Sequence, residues 1–145
     1  AYGWASLCLL PYLNDCNEGT LLSIDMPFWG TKHEDKIGCV IPKYMKSKWR
    51  LIRSPDRDSI PNLVRQKSTF DLCHYDSDKT YSGKTWALPK LWGMIKKDGI
   101  LICDDINDNL AFKHFCESEQ IDPIIVKTFD SQVVKYVGIA VKGDS

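Results

Sequence analysis

Short apolar runs that end in acids, separated by segments with helical spacing, set the plan of this chain. Residues 20–25, 70–75 and 100–103 are such runs and predict strands, and residues 49–53 are a further short strand that ends in Arg53. Between them, residues 35–46 place Ile37, Val40, Ile41 and Tyr44 at helical spacing, with Gly38 and Pro42 as interruptions. Asp58 or Ser59 is placed to cap a brief helix through Val64, with Pro61 in its first turn. Residues 81–97 give the longest helical pattern. Trp86, Leu88, Leu91, Trp92 and Ile95 face inward, Pro89 is expected to kink or split it, Lys96 and Lys97 suit its end, and Gly99 stops it. Residues 110–119 predict another helix, with Leu110, Phe112, Phe115 and Cys116 inward. Upstream, residues 4–13 read as a buried helix whose last turn Pro11 limits, and residues 26–33 as a loop. Residues 124–129 and 133–141 are β-rich, and Asp130-Ser131 between them favours an antiparallel hairpin.

Alternation of strand and helix predicts an α/β fold: a doubly wound, mostly parallel sheet closed by that hairpin. The organising stretch is residues 70–105, a β-α-β unit of ordinary length. Both of its strands end in acids, Asp76 after the first and Asp104-Asp105 after the second. Parallel strands bring those ends to one edge, the carboxyl edge at which open α/β sheets bind ligands.

Composition narrows the partners. Lys plus Arg and Asp plus Glu are both 19 among 145 residues, so no general field draws nucleic acid or an anionic membrane. No apolar run approaches the roughly 18–20 residues that span a bilayer. Cysteines 8, 16, 39, 73, 103 and 116 form no C-x-x-C pair and read as reduced thiols of a cytoplasmic protein. His33, His74 and His114 do not cluster; His74, inside a strand, reads as packed or hydrogen-bonded. There is no G-x-S-x-G elbow and no P-loop, which leaves hydrolase and triphosphatase chemistry unsupported.

The element order and final hairpin resemble the class I S-adenosylmethionine-dependent methyltransferases, over essentially the whole chain. The family's first strand and the start of its glycine-rich motif have no counterpart here. Tyr2-Gly3-Trp4-Ala5-Ser6 looks like the tail of that motif. The expectation is therefore a partial methyltransferase domain over residues 1–145, in which the family's second and fourth strands lack a central partner and the chain alone is poorly stable. Within the family, metal-dependent O-methyltransferases of the catechol, caffeoyl-CoA, sugar and polyketide-tailoring types are most similar. Their pattern of Asp, a basic residue three positions on, and a later acidic pair matches Asp76, Lys79 and Asp104-Asp105. Asp105 stands where the catechol and caffeoyl-CoA types have Asn, whereas Lys79 is closer to those types than to the others, so the substrate class stays open.

The resemblance implies S-adenosylmethionine as cofactor, held by Gly3, Ser6, Asp25 and Asp56, with Asp25 accepting from the ribose hydroxyls. Phe28 and Trp29 would cover cofactor or acceptor, or simply pack. Three converging carboxylates repel unless a cation neutralises them, and oxygen ligands suit Mg²⁺. Asp76, Asp104 and Asp105 are accordingly the expected metal ligands. Lys79, its pKa depressed, is the expected general base beside Asp76. Asp78 reads as a turn former and Tyr81 as lining the site or packing. The acceptor would be a hydroxyl of a small molecule or sugar, and homo-oligomerisation stays open. Two rivals remain: a metal-independent methyltransferase of the same fold, and a non-catalytic doubly wound binding or signalling domain such as a phosphoacceptor receiver.

Overall fold

A computed structural model describes residues 2–27, 36–130 and 133–143. The chain forms two compact units, residues 1–59 and 60–145.

In the first unit, α1 (Trp4–Asp15) precedes β1 (Leu21–Asp25), and a 3₁₀ helix (Lys43–Lys48) leads directly into β2 (Trp49–Arg53). β1 and β2 pair in parallel, from Leu21 opposite Trp49 to Asp25 opposite Arg53. Leu10, Ile41 and Met45 form the core, with Leu7, Leu21, Val40 and Trp49 packed against it. Two expectations are corrected here. α1 is half-buried to exposed rather than buried, with Trp4 and Tyr12 open to solvent and Leu10 alone fully enclosed. Described residues 36–46 do not form the expected α-helix. Gly38 takes a left-handed φ of 65°, and a Cβ there would collide with the Trp49 ring. Pro42 is extended, and only the 3₁₀ helix follows. The aromatic ring of β2 occupies the space that a helical side chain would need.

α2 (Asp56–Arg65) comes next, starting two residues before the expected cap because Pro55 O already accepts from the Asp58 and Ser59 amides. The second unit follows: β3 (Phe70–Tyr75), α3 (Tyr81–Met94), β4 (Ile95–Cys103), α4 (Ala111–Ser118), β5 (Ile124–Asp130) and β6 (Val133–Val141). Its sheet order is β3-β4-β6-β5. β3 and β4 are parallel, while β6 runs antiparallel to both β4 and β5. The hairpin pairing reaches Asp130 opposite Val133, so the connection is as short as expected. The α/β class and the parallel-plus-hairpin plan are those read from the sequence. The strands nevertheless fall into two sheets, and among the described residues β1 pairs only with β2 and β3 only with β4.

α3 ends at Met94, and Lys96 and Lys97 belong to β4 rather than to a helix end. No loop intervenes. Lys142, just past β6, caps the helix by donating from Nζ to Trp92 O (2.9 Å) and Ile95 O (2.8 Å). Its backbone exchanges bonds with Asp98 and Gly99. Leu88, Leu91 and Trp92 on α3 and Phe112, Phe115 and Cys116 on α4 are buried, and the Trp92 and Phe115 rings meet edge to face at 5.8 Å. Leu110, expected inward, is exposed at the helix cap. Gly138 of β6 lets the Phe112 ring lie on the sheet; a Cβ would overlap it. All six cysteines are free thiols. Burial pushes Cys103 up to about 12 and Cys116 up to about 11, so both remain protonated packing groups. No described helix is long and apolar enough to cross a membrane.

Candidate active site

The β3–β4 register carries the central geometric expectation. Tyr75 lies opposite Cys103 in a parallel pair, so Asp76 and Asp104 leave the sheet at the same edge. The Asp104 amide donates to Tyr75 O at 3.0 Å and ties the two strand ends together. Asp105 then turns left-handed, with φ 48°. Its side chain is 6% exposed and meets the ammonium groups of Lys79 and, at 3.3 Å, Lys135. Lys79 also lies 3.6 Å from Asp76 Oδ1. One ammonium therefore bridges the ends of two strands.

The loop that carries Lys79 is built for that reach. Asp78 accepts from the Thr80 amide (2.9 Å) and hydroxyl (2.7 Å), as its reading as a turn former requires. Thr80 caps α3 by accepting from the Gly83 amide at 3.0 Å. Gly83 leaves room for Asp78, whose carboxylate occupies the position of a Cβ. Asn109 Nδ2 donates to Lys79 O at 2.8 Å, and its Oδ1 accepts from the Ala111 amide at the start of α4.

Electrostatics reverse one expected role. The hydrogen bond to Asp105 raises the pKa of Lys79 above its usual 10.5, with Asp76 adding to the effect. The same bond lowers Asp105 below 3.8. Lys79 is thus held as an ammonium, not depressed into a base. Asp104, partly exposed, has His74 Nε2 at 3.7 Å, so His74 is a polar neighbour of the edge. The carboxylates are compensated by cationic side chains. Among the described residues, no three of His, Cys, Asp and Glu stand together as a group that could hold a metal ion. The donor set does not fit Mg²⁺ as it stands, because ammonium groups occupy the positions that a divalent ion would neutralise.

The residues expected to hold the cofactor all fall in the first unit. Asp25, at the end of β1, pairs with Arg53 Nη1 at 2.7 Å, and Arg53 also donates to Asp25 O. Ser6 and Ser23 hydroxyls are 3.1 Å apart, and Ser23 accepts from Trp49 Nε1 at 2.9 Å, so Ser6 joins α1 to β1 and Ser23 joins β1 to β2. Gly3 caps α1 at φ 100°, and a Cβ there would stand 2.9 Å from Ile41 Cδ1. Its lack of a side chain is thereby needed for packing. Asp56 opens α2. Asp25 closes β1 and Asp56 comes shortly after β2, and carboxylate acceptors match in chemistry what a ribose diol and an adenine amine would meet. Phe28, Trp29 and His33 lie outside the described residues.

Arg53, Lys84 and Lys135 were not among the expected site residues. Lys84 carries a legible signal: with Leu88 and Leu91 it lies at i, i+4 and i+7 on the buried stripe of α3. Tyr81 bonds His114 Nδ1 at 2.9 Å on the surface beside this loop. A cavity of about 300 Å³ lies along α4 and β5, lined by residues such as Ile106, Phe112, Cys116 and Ile125. It contains none of the acidic cluster, and the cluster is the stronger candidate because the charge is there.

A family model described as a methyltransferase domain matches residues 1–106. No curated protein matches the chain in sequence. Among solved structures, the fold is similar to an O-methyltransferase from Bacillus cereus in complex with SAH, with a TM-score of 0.69, 13% identity, and coverage of 86% of this chain and 63% of that one. A precorrin-6y C5,15-methyltransferase from Geobacter metallireducens gives 0.71, 11%, 97% and 77%. An O-methyltransferase from Streptomyces achromogenes, involved in tomaymycin synthesis and complexed with SAM, gives 0.67, 12%, 87% and 63%. The chain spans 63% of the length of the Bacillus cereus and Streptomyces achromogenes structures.

Proposed function

Because the chain belongs to the methyltransferase-domain family, we propose that it is an S-adenosylmethionine-dependent methyltransferase acting on a hydroxyl of a small molecule or sugar. The observation that carries this reading is the Asp76–Lys79–Asp105 bridge at the carboxyl edge. SAH and SAM in two similar folds support the cofactor, and both of those proteins are O-methyltransferases.

When bound, the cofactor supplies an electrophilic methyl on a sulfonium, leaving a thioether after transfer. The chain's own residues would do the rest. Gly3, Ser6, Asp25 and Asp56 belong to the cofactor side. On the acceptor side, Lys79, fixed as an ammonium by Asp105, stabilises the acceptor oxygen as it loses its proton. Asp76, the more open of the two carboxylates it touches, takes that proton. Lys79 is thus the electrostatic catalyst, in place of the base expected from sequence, and Asp76 the proton acceptor.

This scheme uses no metal. The second reading, Mg²⁺ at Asp76, Asp104 and Asp105, is favoured by the convergence of Asp76 and Asp105 on one cation, and it requires Lys79 and Lys135 to give way. Calorimetric titration with S-adenosylmethionine, in EDTA and in Mg²⁺, tests the cofactor. Labelled-methyl transfer to a panel of phenolic and sugar hydroxyls tests the chemistry. Binding and transfer indifferent to EDTA are expected. No cofactor binding would overturn the methyltransferase reading, and transfer abolished by EDTA would restore the metal.

A further inference from the structure

Lys84 is 2% exposed, yet no carboxylate among the described residues pairs with it. Its Nζ donates instead to two consecutive backbone carbonyls, Asp104 O at 3.0 Å and Asp105 O at 2.5 Å. Burying an ammonium against neutral carbonyls is costlier than burying a methionine of similar length. Packing therefore does not account for a lysine here, whereas the turn it touches does. Asp105 is a non-glycine residue at φ 48°. The amides on either side are pinned to different strands, Asp104 N to Tyr75 O of β3 and Ile106 N to Tyr136 O of β6, each at 3.0 Å. The carbonyls of this left-handed turn need a partner inside the protein, and one cation serves both. The turn so held carries the Asp105 carboxylate that meets Lys79 and Lys135.

We infer that Lys84 is a positioning residue for the acidic edge: its buried ammonium clamps the Asp104–Asp105 turn and thereby sets Asp105 against Lys79. The functional meaning of the clamp rests on the acceptor-side assignment proposed above, while the clamp itself stands on hydrogen bonds.

Amide hydrogen exchange on the whole chain, resolved residue by residue, tests it. Lys84→Met is expected to speed exchange at Asp104 and Ile106 by about ten-fold or more, a local opening. At the far end of the sheet, Asp98 and Lys142, whose amides bond Lys142 O at 2.7 Å and Gly99 O at 2.9 Å, are expected to stay within about two-fold. Lys84→Arg, which keeps the charged donor, restores protection at Asp104 and Ile106. Unchanged exchange in Lys84→Met, a uniform rise at all four amides, or failure of Lys84→Arg to restore protection would each overturn the clamp. Should Lys84→Met not fold, Lys84→Gln takes its place with the same expected local loss. Titration with S-adenosylmethionine in parallel separates the two ideas: a wild-type chain that binds none, yet shows the local exchange pattern, refutes the enzymatic reading and leaves the clamp intact.

Discussion

Replacing Asp105 by asparagine removes one negative charge from a nearly enclosed site and leaves Lys79 and Lys135 facing a neutral amide. The cost can be bracketed. Exposed ion pairs contribute roughly 0.2–1 kcal/mol, and breaking a buried pair costs about 3–5 kcal/mol. Asp105 is 6% exposed, but its lysine partners are 51% and 36% exposed, and water screens their side of each contact. The loss should therefore fall between those limits, at about 2 kcal/mol. For a chain of this size that lowers the melting temperature by roughly 4–8 °C. The pH dependence is specific. Asp105 has its pKa lowered on folding, so its contribution is fully present above 3.8 and is lost as pH falls through the folded value. Lys79 has its pKa raised, so its contribution is fully present below 10.5 and is lost as pH rises through the folded value. The gap between wild type and Asp105→Asn should be flat across the neutral range and shrink at both extremes. Urea unfolding of both proteins from about pH 2 to about pH 11.5 measures it. Equal stabilities near neutrality, or a gap undiminished in acid, would refute the argument.

Two smaller perturbations probe the scaffold beneath the site. Thr80→Ala removes the cap that accepts from the Gly83 amide and should cost about 1 kcal/mol in denaturant unfolding, whereas Thr80→Ser should stay near wild type. Gly138→Ala forces a methyl into the Phe112 ring and should destabilise by about 1–3 kcal/mol, and Gly143→Ala, where nothing stands within 4 Å, should change stability little.

How far the sequence revealed this site depended on the range of each interaction. β3 was legible to the residue, because an apolar run bounded by polar turns is a local signal. The shared edge of Asp76 and Asp104 followed from a single topological rule, that of parallel strands joined through a helix. Lys135 was not legible. Lys135 reaches Asp105 only because β6 lies beside β4, and that pairing depends on how the hairpin folds back. The direction of the Lys79 shift was missed for the same reason: the partner that sets it lies 26 residues away. Helix ends failed locally. Lys96 and Lys97 looked like a basic helix terminus, but the terminus of α3 is capped by Lys142, supplied 47 and 50 residues later.

That last contact has a practical consequence for anyone trimming the protein. Lys142 lies just past β6, outside every regular element, and would look expendable. Yet its side chain closes a helix and its backbone bonds β4 at Asp98 and Gly99. A C-terminal boundary drawn at Val141, the last residue of β6, would leave a complete sheet and a fraying α3; the same cut made one residue later keeps both.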